Sequence, residues 1–135
     1  MTQEPIFLLR DAVEKLHEYV IDAFGGLPGL RDEGGLESAL HQPEASFAGE
    51  YLYSYPWGMA VAYVVGIAMN HPFADGNKRT AAAALGTFLG VNGYDLVCSQ
   101  EDLEGAILGL VTRQFSRQDF EMWLQDVCIL QELRG

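Results

Sequence analysis

A chain of 135 residues with 49% hydrophobic residues and a formal net charge of −11 suits one domain, spanning 1–135, with its own apolar core. That acidity speaks against a nucleic-acid-binding module, which needs a basic face. Cys98 and Cys128 form no CxxC or Cys/His ligand pattern, so both are expected to be reduced core residues of a cytoplasmic protein.

The opening residues, MTQEPIFLLRDAVEK, lack the basic segment and apolar stretch of a signal peptide. The most apolar run, Trp57 to Met69, is too short to span a bilayer. Neither export nor membrane insertion is expected. IFLL, residues 6–9, reads as a strand or as the lead-in to a helix. Val13, Leu16, Val20, Ala23 and Phe24 then recur at helical spacing and predict a helix over Asp11 to Phe24. GGLPG at 25–29 stops it. A short helix is predicted from about Leu36. Residues 43–56, PEASFAGEYLYSYP, carry no helical period and read as a loop or irregular hairpin. Pro56 suits the first turn of the next helix, where its missing N–H costs nothing.

Trp57 to Asn70 is apolar on nearly all sides, the mark of a central buried helix. A second one, rich in alanine, runs from Lys78 to Val91 and is ended by Gly93. Ser99 with Asp102 and Ser116 with Asp119 resemble capping boxes and start two further helices, the last of them running through VCIL. Gly66, Gly86 and Gly109 inside helices suggest close helix contacts. The sum is an all-α domain of about six helices.

Between the two central helices stands HPFADGNKR, residues 71–79. The second helix presents unpaired N–H groups and the positive end of its dipole at its start. Gly76 lets the backbone turn and approach a ligand. Asn77, Lys78 and Arg79 add donors and positive charge suited to phosphate. Asp75 beside a phosphate implies Mg²⁺, which binds through one or two carboxylates plus phosphate oxygens. His71, of a residue type that titrates near neutral pH, can take a proton from a hydroxyl. Phe73 is expected to point into the core. Each of these residues alone would be an ordinary turn or surface group. Together between two buried helices they form one constellation. The spacing is not that of a Walker A loop, a kinase Gly-rich loop or a Rossmann fingerprint. His17 is expected to be structural, and His41 to sit at a surface or helix end.

HPFADGNKR resembles the signature of the Fic/Doc family, His-Pro-Phe-x-Asp/Glu-Gly-Asn-x-Arg, and FGGLPGLRDEGGLESAL upstream resembles the Doc-type branch. The resemblance covers nearly the whole chain, most firmly residues 13–93. It implies a small helical bundle with a flap before the central helix. Family members that transfer AMP usually have Gly after Asn and a second Arg three residues after the first; here those positions hold Lys78 and Ala82. Doc-type members share the lysine, and in that branch the γ-phosphate of ATP faces the histidine. The resemblance thus implies a Mg-ATP-dependent protein kinase toxin acting on a Ser/Thr hydroxyl of elongation factor Tu or a similar target. AMP transfer and a catalytically silent binding module are the alternatives. By the same resemblance His71 is the general base, Asp75 holds Mg²⁺, and Gly76, Asn77, Lys78 and Arg79 hold phosphates. The flap aligns the target peptide, and Phe47, Tyr51 and Tyr53 either serve that contact or pack on the core. A small antitoxin with a disordered C-terminal segment is the implied partner. SQEDLEG comes near the inhibitory Ser/Thr-x-x-x-Glu-Gly/Asn helix of other members, but Ser99 is one residue too far from Glu104.

Overall fold

The computed structural model describes residues 4–131. Among the described residues there are six helices: α1 (Arg10–Phe24), α2 (Glu33–His41), α3 (Trp57–Asn70), α4 (Asn77–Val91), α5 (Gln100–Val111) and α6 (Arg117–Val127). The all-α expectation holds, with four short strands added: β1 (Ser46–Phe47), β2 (Glu50–Tyr51), β3 (Tyr94–Leu96) and β4 (Cys128–Leu130). Among the described residues no helix is long and apolar enough to cross a membrane.

α3 is the axis of the fold. Its residues from Met59 to Val64 are all buried, so every face meets protein. α4 and α2 make its largest contacts. The α4 surface in the core is built from Ala81, Ala82 and Ala84, with Leu85, Phe88 and Leu89 supplying bulk. Gly66 gives α2 its seat. A Cβ there would lie 2.9 Å from both Cα and Cβ of Ala39. Gly66→Ala should therefore push α2 off α3 and cost about 1–3 kcal/mol, read by urea unfolding; an unchanged midpoint would mean that the helices can part at no cost. Of the other two helical glycines, Gly109 is packed under the Phe115 ring, whereas Gly86 faces open space.

The boundaries differ from expectation at α2 and at the end of α6. α2 begins at Glu33 because Asp32 accepts a hydrogen bond from the Gly35 N–H, 2.9 Å, and caps the helix one turn before the first apolar residue. α6 has the full capping box of Ser116 and Asp119, and the Ser116 N–H holds the Asp119 carboxyl below its ordinary range. Ser99 makes half of such a box, accepting from the Asp102 N–H. Residues 128–130 leave the helix and pair antiparallel with β3, Leu96 opposite Cys128 and Tyr94 opposite Leu130. Both cysteines are free and half-buried, and burial pushes the Cys128 thiol up to about 11.

Residues 6–9 are the extended lead-in to α1. Asn92, 2% exposed, stands in for a neighbouring strand by pairing its amide with both N–H and C=O of Ile6, at 2.8 and 2.9 Å. The Leu8 N–H donates to the hydroxyl of buried Tyr63. β1 and β2 form a hairpin whose turn residues, Ala48 and Gly49, both have positive φ, as a tight two-residue turn requires.

Candidate active site

α3 stops at Asn70, and His71 takes the left-handed conformation with φ 49° and ψ 55°, turning the chain off the helix axis. Its imidazole is exposed. The loop returns to start α4 behind Gly76, which has φ 74°. A side chain at Gly76 would be strained by that φ and would press to 3.2 Å on Val20 and Ile21 of α1. Thr80 is the first residue of α4 to bond back, to the Gly76 carbonyl at 2.9 Å. The N–H groups of Asn77, Lys78 and Arg79 precede it and have no carbonyl behind them. These residues, with His71, Asp75 and Gly76, line a cavity of about 480 Å³ walled on one side by Val20 and Phe24.

The loop is held on three sides. The strand-like segment 29–32 lies along it: Arg31 and Asp32 N–H both donate to the Pro72 carbonyl (2.7 and 2.9 Å), and the Ala74 N–H donates to the Gly29 carbonyl (3.0 Å). The Arg31 guanidinium donates to the carbonyls of His71 and Asn70, at 2.8 and 3.1 Å, and so ends α3 as a C-cap would. From α1, buried His17 stacks on Phe73 with centroids 3.9 Å apart and donates from Nε2 to the Asp75 carbonyl at 2.9 Å. Phe73 is buried, as expected. His17 is structural, and the partner that gives it this role lies far along the chain. His17→Ala should therefore destabilise the domain by about 2–4 kcal/mol, measured by denaturant unfolding; a loss under about 0.5 kcal/mol would remove His17 from the support of the loop.

Asn77 is turned inward. Its Oδ1 accepts from the Phe73 N–H and its Nδ2 donates to the Phe73 carbonyl, both at 3.0 Å. Its side chain closes the loop, and its backbone N–H belongs to the helix start. Asp75 accepts from the Gly76 N–H at 3.0 Å through Oδ1 and from the Leu27 N–H at 3.3 Å through Oδ2. It is the one carboxylate among the cavity-lining residues. Among the described residues no three metal-ligating side chains come together. A single oriented carboxylate fits an ion such as Mg²⁺ that arrives on phosphate and keeps its waters. Lys78 is exposed. Arg79 lies over the Phe24 ring, 4.0 Å from its centroid, and its Nε meets Glu104 Oε1 of α5 at 3.1 Å. Glu104 thus reaches the cavity rim although its spacing from Ser99 misses the inhibitory pattern. His41 is exposed at the end of α2, beside Glu37.

Phe47, Tyr51 and Tyr53 do not join this cavity. Tyr51 rests edge-on against Phe7, and Phe7 stacks on Phe88. Phe88 is eleven residues past Asn77, roughly 16 Å along α4. Tyr53 accepts from Gln42 Nε2 and lies under Arg117. Phe47 is 77% exposed at the tip of the hairpin. Tyr55, next after them, donates its hydroxyl to the carbonyl of Asn92 at the C-terminal end of α4, whereas the cavity lies at the α4 start and is lined by none of the three aromatic residues.

The frame and the site define a small α-helical domain with an anion-receptive helix start beside a histidine. The chain belongs to the Fic/DOC family, whose model matches residues 7–89. Toxin Doc of Mycolicibacterium smegmatis is 46% identical over 74 residues, which cover 55% of this chain and 57% of that protein. Protein kinase doc of Escherichia phage P1 is 35% identical over 101 residues, 75% of this chain and 79% of that protein.

Proposed function

We propose that the chain is a Doc-like toxin that works as a Mg-ATP-dependent protein kinase. Its substrate is a Ser/Thr hydroxyl on a translation factor of the elongation factor Tu kind. One observation carries this reading: the bare start of α4, with Lys78 and Arg79 at its head, opens into the same cavity as the exposed imidazole of His71. The name of the phage relative, protein kinase doc, supports phosphoryl transfer. A cytoplasmic setting and a small antitoxin partner follow from the toxin reading, supported by the name of the mycobacterial relative.

The chain's residues divide the work. The N–H groups at the α4 start, with Lys78 and Arg79, receive phosphate oxygens and hold the γ-phosphorus toward His71. Asp75 would hold the Mg²⁺ that travels with ATP, which supplies charge neutralisation at the phosphates. Neutral His71 takes the proton of the target hydroxyl as its oxygen bonds to the γ-phosphorus. The bond from that phosphorus to the bridging oxygen breaks, and ADP leaves. Lys78 supports the γ-first direction: a lysine fills space that a glycine would leave open, and its charge holds the terminal phosphate. The side chains of Asn77 and His17 keep the loop in place and touch no reacting atom.

Incubating the protein and Mg²⁺ with bacterial extract, in parallel with γ- or α-labelled ATP, tests the reading. Label from γ-ATP on one protein band, lost with His71→Asn, is the expected result. Label from α-ATP would replace it with nucleotidyl transfer, and label from neither would favour a binding role.

A further inference from the structure

His71 is exposed, and among the described residues its imidazole makes no hydrogen bond. The direction in which the ring points is therefore left to the backbone beneath it. That backbone stands at φ 49° and ψ 55°, left-handed values that cost free energy for a residue with a Cβ and persist only where the surroundings impose them. A helix that ends on a left-handed residue is ordinarily locked by its own main chain, the next residue donating its N–H back into the last turn. Here the next residue is Pro72, which has no N–H to donate.

Arg31 takes over that work. Its Nε donates to the His71 carbonyl at 2.8 Å, its Nη2 to the Asn70 carbonyl at 3.1 Å, and its own N–H to the Pro72 carbonyl at 2.7 Å. Three consecutive carbonyls, centred on His71, thus accept from one residue. The guanidinium is planar and its donors form a rigid fork. Gripping both carbonyls fixes the two peptide planes that flank the His71 Cα, and with them its φ and ψ. Arg31 is anchored in turn: the Asp32 N–H joins it on the Pro72 carbonyl at 2.9 Å, and Leu30 bridges to Phe73. The start of α4 is held by other groups, Asn77 on Phe73 and His17 on Asp75. Arg31 does not line the phosphate-sized cavity.

We propose that Arg31 is the positioning residue of the base: its guanidinium aims the His71 imidazole at the target hydroxyl by locking the turn that carries it. This rests on the reading of His71 as general base and names the residue through which the fold sets that base. The role belongs to the side chain alone, since any residue but proline at position 31 keeps the N–H bond to Pro72.

Arg31→Ala and Arg31→Lys, each alone and combined with His71→Asn, test this in label transfer from γ-ATP onto bacterial extract over a range of Mg-ATP concentrations. Arg31 is exposed, so both variants should fold. Arg31→Ala should lower the maximal rate by about 10- to 100-fold, the scale of a displaced catalytic group, and leave the KM for Mg-ATP within about twofold. Arg31→Lys keeps the charge but cannot span two carbonyls, so it should lose most of the same factor, and it carries the test should Arg31→Ala misfold. In the His71→Asn background neither change should cost more than about twofold further, because a residue that acts through the imidazole has nothing left to act on. The Cα chemical shift of His71 should leave its left-handed value in Arg31→Ala, while those of Asn77 to Thr80 stay. A parent-like rate in either arginine variant, a loss confined to KM, or an equal loss with and without His71 would overturn the proposal. Full activity of His71→Asn, or no transfer by the parent chain, would instead fell the base assignment itself, and this inference with it.

Discussion

His71→Asn should slow phosphoryl transfer by about 10²- to 10⁴-fold, the usual contribution of a positioned general base. Asparagine is the informative replacement. His71 sits in the left-handed region, which asparagine tolerates better than alanine does, so the backbone turn that ends α3 survives while the imidazole is lost. The side chain is exposed and no core contact goes with it. The unfolding midpoint should stay within about 0.5 kcal/mol of the parent chain, as for surface changes elsewhere. Rates of label transfer from γ-ATP, measured beside a urea melt, separate the two effects. Full activity in a well-folded His71→Asn protein would end the assignment of His71 as the base.

Arg79 and Glu104 should respond with opposite signs. Arg79→Ala removes the donor proposed to meet developing phosphate charge and should lower the transfer rate by about 10²- to 10³-fold. Glu104→Gln should act the other way. The Arg79–Glu104 pair is about two-fifths exposed, 40% and 39%, so water already screens much of its attraction. Such a pair is worth about 0.2–1 kcal/mol. Freeing Arg79 from it should tighten Mg-ATP binding by about two- to fivefold, since a phosphate then no longer competes with a carboxylate. Calorimetric titration at low and at physiological salt checks this, with the gain shrinking as salt rises. Equal affinity for Glu104→Gln and the parent chain would mean that the two groups part without cost when nucleotide enters.

The two central helices, the loop between them and the family all stood in the sequence. α3 is buried all round and therefore apolar all round, and a polar knot between two such helices has few structural excuses. Local signals also worked where they were strong, as at Ser116 and Asp119. What was hidden depends on contacts between distant residues. β-Branched Val127 and Ile129 lean toward strand, but four residues after a well-capped helix cannot show it without their partner, Tyr94–Leu96, which lies more than thirty positions upstream. Asn77 looked like a phosphate ligand because amides suit phosphates, yet its side chain is taken by Phe73 four residues before it. His17 lacked a visible partner because Asp75 is 58 positions away. Glu104 could have been flagged by its near-match alone, but a spacing rule cannot show that α5 leans its side chain onto Arg79.

The segment 29–32 enters the fold as a stop after α1 and ends as a wall of the cavity. Every contact it makes with residues 70–74 uses a backbone group on at least one side, and three of them use backbone on both. The shape of the loop is therefore written in main-chain geometry: Gly29, at φ 105°, must stay free of a side chain, whereas positions 27, 28 and 30 contribute no side-chain hydrogen bond to the loop. It also means that the two stretches cannot breathe separately. The amides of Arg31, Asp32 and Ala74 should therefore open together, giving one opening free energy in deuterium exchange once each rate is divided by its own intrinsic rate, and the loop that leads into α4 should loosen with them.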